Sequence, residues 1–166
     1  MIVFGQEYSD YLRQMYIDRF VDKECDYYKQ YIEKLKSCND GIYYNGYLWD
    51  VLKQPDYLHC KLGTFPVPIP ERKIQRILWG KKNVYVMMDL HSSEENPVGL
   101  WTQDQRDFRM KYRKRVVCIE EWPNEIEKSF PKDIYLFDDS LKWSFVLTHE
   151  WYGEDSRLCY VAGEFE

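Results

Sequence analysis

Between Ser9 and Ser37 the chain carries no glycine or proline, and Val21, Cys25, Tyr28, Ile32 and Leu35 recur at alternating steps of four and three. That spacing predicts one face of a long amphipathic helix, with Ser9 as its N-cap and Cys38-Asn39-Asp40-Gly41 as its stop. The stripe is read as packing on its own domain, because no heptad repeat extends over the first half. Next, Gly46 to Lys53 predicts a short buried helix ended by Pro55. Thr64 to Pro70, TFPVPIP, predicts an extended connector, since prolines at alternate positions cannot serve an interior strand. Pro70 then suits the first turn of a further helix, with Glu71 at its positive end, Ile74, Ile77 and Leu78 on one face and Gly80 just past its close. Asn83 to Leu90 predicts a buried strand.

Asp107 to Arg115 sets two rules against each other. Phe108, Met110 and Tyr112 alternate with Arg109, Lys111 and Arg113, as in a strand. Yet Thr102 to Gln105 matches a capping box, acids occupy the first turn and bases the last, which favours a helix from Gln103 to Arg113. A strand over Val116 to Glu120 and a short helix opened by Pro123 and running through Phe130 follow. The tail, Lys132 to Phe165, predicts three strands. Trp143, Phe145 and Leu147 alternate with Ser144, Val146 and Thr148, and Asp138-Asp139-Ser140 and Tyr152 to Ser156 supply turn chemistry. The order predicts one α+β domain over residues 1–166, with a long N-terminal helix and further helices packed on a mixed or antiparallel sheet ending in a three-stranded C-terminal meander.

Composition refines this picture. The aromatic share is 17%, with 15 Tyr and 6 Trp, residues that serve both cores and recognition surfaces. The formal net charge of −5 disfavours nucleic acid as a general partner. No apolar run approaches membrane-spanning length and the first residues lack a secretory pattern, so the expected location is the cytoplasm. Cys25, Cys38, Cys60, Cys118 and Cys159 are scattered, with no C-x-x-C pair, and read as reduced thiols.

Candidate chemistry is sparse. The usual hydrolase, nucleotide-phosphate and dinucleotide signatures do not occur, so no catalytic residue, cofactor or metal is assigned. His149-Glu150 ends a strand whose alternation sends the two to opposite faces, which makes His149 a hydrogen-bonded structural histidine first. Its alternative is a metal-assisted hydrolase using His149 with His91 or His59. Arg106, Arg109, Lys111, Arg113, Lys114 and Arg115 form a basic cluster, read as a solvated helix face; its alternative is an RNA-binding regulatory module.

Two segments carry a resemblance. Gly46 to Leu52, G-Y-L-W-D-V-L, and Asp133 to Glu150, ending in W-S-F-V-L-T-H-E, resemble an uncharacterised bacterial family of Bacillus-like organisms with G-x-L-W-H and W-x-x-x-x-T-H-E motifs. Lys61 to Glu121 lies outside the resemblance, and Asp50 stands where that family places His, which removes one candidate ligand or base. The family has no established activity, so the resemblance implies a compact bacterial cytosolic domain and no site. Tyr43 to Leu52 also resembles part of the ribonuclease inhibitor barstar, which implies inhibitory binding. Together these observations predict a non-catalytic protein-binding domain of a bacterial cytosolic protein, extending to an immunity protein that neutralises a basic toxin. Its expected contacts are Trp151, Tyr152, Glu154 and Asp155, in the turn between the last two strands.

Overall fold

The computed structural model describes residues 1–37, 47–53, 65–78, 80–89, 102–121 and 131–163. Strands β1 (Ile2–Val3), β2 (Phe65–Pro70), β3 (Lys82–Met88), β4 (Val117–Glu121), β5 (Ile134–Phe137), β6 (Trp143–Tyr152) and β7 (Ser156–Gly163) form one sheet in the order β1-β4-β3-β5-β6-β7-β2. Every pairing is antiparallel. Helices α1 (Gln6–Phe20), α2 (Asp26–Ser37), α3 (Glu71–Leu78) and α4 (Gln103–Tyr112), with a 3-10 turn over Leu48–Val51, complete an α+β fold whose last three strands are the expected meander.

The period of two along the strands divides the core between two faces. Met87, Tyr135, Phe137, Val146 and Ala162 face one side, where Leu12, Tyr16 and Phe20 of α1, Tyr31 of α2 and Leu48, Trp49 and Val51 of the 3-10 turn cover them. Val84, Val86, Ile134, Leu136, Phe145 and Cys159 face the other, against Ile74 and Leu78 of α3, with Phe108 and Tyr112 of α4 packed alongside. Central β5 is buried along its whole length, which explains why IYLF shows no polar alternation. Cys118 and Cys159 are buried free thiols, as expected, and Cys25 is half-buried.

Three expectations are corrected. The long helix is two: Val21 leaves helical geometry at φ −98° and ψ 137° and forms a β-bridge with Leu52. Reciprocal bonds, Asp22 N to Val51 O and Lys53 N to Phe20 O, both 2.8 Å, hold that bridge, and Asp22 Oδ1 accepts from Glu24 N in the turn. Long-range pairing overrides a helical period that contains no breaker. Ser9 is not the cap, which is Gly5; it is buried inside α1, where its Oγ accepts from Val116 N and donates to Phe4 O. The proline run is not a connector. It is edge strand β2, in register with β7 from Phe65↔Val161 to Pro70↔Ser156. Pro66, Pro68 and Pro70 share one parity and have no N–H to give, so the arrangement fits only a sheet edge and denies that edge donors for a further strand.

The capping box of α4 is present, with Gln105 N donating to Thr102 Oγ1 at 3.3 Å and Thr102 N to Gln105 Oε1 at 2.9 Å. Glycine is required at 163, where φ is +78° and a Cβ would lie 1.8 Å from Lys142 O. β1 had no signal in the sequence, being two residues long. The helix expected over Pro123 to Phe130 lies outside the described residues.

Candidate functional site

Where β3 ends, the chain buries a carboxylate. Asp89 is fully buried and accepts from Tyr31 Oη and Leu48 N, each 3.0 Å from Oδ1, while Tyr135 Oη donates to Oδ2. Tyr135 Oη in turn accepts from Trp49 N at 3.0 Å. One carboxylate thus ties α2, the 3-10 turn and β5 together. Burial pushes Asp89 up to about 6, against the opposing pull of Tyr135 and the Leu48 amide. Two buried guanidinium groups close the knot from outside: Arg13 donates to Met88 O at 2.9 Å and Arg109 to Asp89 O at 3.4 Å. Burial lowers both arginines from their ordinary value.

The basic cluster is therefore not one solvated face. Arg109 points into the protein, Arg106, Arg113 and Arg115 are half-buried, and Lys111 and Lys114 are exposed. Arg115 donates to Phe4 O and Arg113 O accepts from Arg13.

The second polar centre arises from an interruption in β6. The register passes from Leu147↔Cys159 to Trp151↔Arg157, so four steps along β6 oppose two along β7 and β6 carries two extra residues. Side chains satisfy the displaced backbone groups. Asp133 Oδ1 accepts from His149 N at 2.9 Å, Thr148 Oγ1 accepts from Glu150 N at 3.1 Å, and Arg157 Nη1 donates to His149 O at 2.8 Å. The bulge overturns the expected alternation. The His149 ring lies 5.4 Å from that of Tyr47 and 6.0 Å from that of Trp49, and Glu150 acts electrostatically on Asp50 of the same segment.

Asp133 also meets the His149 ring, Oδ1 to Nδ1 at 2.9 Å, from a backbone at φ +66°. That left-handed conformation is one aspartate tolerates better than most residues. The bond to Asp133 raises His149 above its ordinary 6.5, with burial opposing. His91 and His59 lie outside the described residues, and among the described residues no group of three or more His, Cys, Asp or Glu could hold a metal ion.

Beyond the bulge the hairpin emerges into solvent. Trp151 is 46% exposed and Tyr152 62% exposed. Successive strand residues project to opposite faces of the hairpin, so the two aromatics flank it. Trp151 rests on Arg157, whose guanidinium carbon is 3.4 Å from the ring centroid, and Arg157 Nε reaches Glu71 Oε1 at 3.4 Å. Gly153, at φ +73°, turns the chain. Glu154 and Asp155 are exposed, as is Glu150. Asp155 also fixes the turn, its carbonyl accepting from Glu71 N at 3.0 Å and its carboxylate from Ser156 Oγ at 2.9 Å.

All four expected contact residues thus share one tip, while Asp89, Asp133 and Arg157 were missed as determinants of the site. Arg157 had a signal, because it shares strand parity with the buried Cys159 and a basic residue at an inward position implies a partner.

The fold and site define a class, an α+β protein with helices on both faces of an antiparallel sheet and an aromatic, acidic hairpin at one end. Set against protein-family models, curated proteins and solved structures, the chain matches none of them. Among the described residues no helix is long and apolar enough to cross a membrane.

Proposed function

We propose that this chain is a non-catalytic protein-binding domain whose β6–β7 hairpin docks on a basic protein, as an immunity protein does on a toxin it neutralises. The observation that carries the reading is Trp151, a large aromatic left half-exposed yet stacked on the buried guanidinium of Arg157. An aromatic ordered in advance binds with less loss of conformational entropy, and such residues dominate interface energetics. Glu150, Glu154 and Asp155 border it on a chain of net charge −5, which suits a basic partner and speeds encounter.

The test is affinity capture with the tagged full chain from its host. The expected result is a stoichiometric basic protein whose association slows as salt rises, and whose toxicity the chain relieves on co-expression. Recovery of no such protein contradicts the reading.

A further inference from the structure

We propose that the Asp133–His149 pair is a proton-responsive element that resets both the charge and the pose of the β6–β7 hairpin, a regulation that rests on the binding role given above to that hairpin. The physical chain is continuous. Asp133 Oδ1 holds His149 by ring and backbone, His149 O holds Arg157 at 2.8 Å, and Arg157 carries the Trp151 ring. An ionised carboxylate only accepts, so a neutral His149 keeps its proton on Nδ1 and the second proton enters at Nε2.

The groups around the ring set what that proton does. Asp133 and Glu150 favour it, and Arg157 opposes it. Behind them, Asp133 acts in turn on Arg109 of α4 and on Asp89 at the end of β3, Glu71 of α3 pairs with Arg157, and Asp50 of the 3-10 turn lies within the field of Glu150. Protonation places a positive charge beside Arg157 and offsets Glu150. The like charges repel, the guanidinium under Trp151 loosens, and the tip becomes less attractive to a basic partner. Binding therefore weakens on acidification through the His149 midpoint, which the Asp133 bond moves above 6.5.

The experiment needs no partner. In the full chain, NMR follows the His149 ring and the Trp151 indole N–H between about pH 5 and 9, a window around the imidazole range. Both are expected to inflect at one midpoint above 6.5, with the Trp151 inflection lost in His149→Gln. Asp133→Asn should lower the His149 midpoint, because it removes the adjacent opposite charge that favours the proton. A Trp151 resonance that stays flat through the His149 midpoint, or that inflects unchanged in His149→Gln, overturns the proposal. Such a failure leaves docking by the hairpin standing, whereas failure to capture a basic protein leaves the proton coupling standing.

Discussion

The knot at Asp89 and the tip of the β6–β7 hairpin use the same residue types, Tyr, Trp, Asp and Arg, to opposite ends. At the knot every hydroxyl and amide described points inward to a partner: Tyr31, Tyr135 and Leu48 to Asp89, and Trp49 N to Tyr135. At the tip Trp151 and Tyr152 are largely exposed, and the bonds there hold the platform beneath Trp151 and the turn at Asp155. Residues of the first kind hold the fold together, and in the role proposed above those of the second meet a partner once it has formed. The His149 bulge lies between them, linked to the knot through the field of Asp133 and to the tip through Arg157.

Asp89→Ala breaks the comparison at its strongest point. It leaves two hydroxyls and an amide buried without their acceptor, and opens a void, so the stability loss should be about 3–5 kcal/mol by denaturant titration. A loss below ~1 kcal/mol would mean that the knot does not hold the fold.

The pH profile is the next largest effect. Asp89 titrates near 6 in the folded protein against 3.8 unfolded, so the folded state binds the extra proton between those values. Its stabilising contribution is complete below pH 3.8 and is lost as pH rises through about 6. At ~1.4 kcal/mol per pH unit the interval is worth ~3 kcal/mol. His149, raised above 6.5, adds a contribution of the same sign that is present below 6.5 and lost as pH rises through its folded value. The protein should thus be more stable at about pH 5 than at pH 8 in urea titrations, with Asp89→Asn flattening the lower part of the fall and His149→Gln the upper.

Arg157→Met should cost about 1–3 kcal/mol, through its bond to His149 O and its pairing with a part-exposed Glu71. It should also release Trp151, seen as faster motion of its indole N–H in NMR relaxation. The smallest stability effect belongs to the double variant Trp151→Ala and Tyr152→Ala, within ~1 kcal/mol of the parent by thermal unfolding. Equal destabilisation by the tip and knot variants would erase the distinction between the two regions.

Much of the fold was legible where local rules agreed. Thr102 to Gln105 spelled the cap of α4, Pro70 and Gly80 bracketed α3, and the alternation from Trp143 to Leu147 marked β6. The breaks came from partners distant in sequence. Val21 leaves its helix for Leu52, and FPVPIP becomes a strand only because β7 supplies an edge. For the site, the turn signals located Trp151, Tyr152, Glu154 and Asp155 together. The bulge at His149 was hidden, since nothing in WSFVLTHEWY distinguishes a regular strand from one whose spare backbone groups meet Asp133 and Arg157.

The most direct measurement is capture of a basic partner by the parent chain and by the Trp151→Ala, Tyr152→Ala variant, at matched concentrations of folded protein. The variant is expected to unfold at nearly the parent's temperature yet to lose at least about 2 kcal/mol of affinity, roughly thirtyfold, as when central aromatic contacts are truncated. Undiminished capture by the folded variant would contradict it.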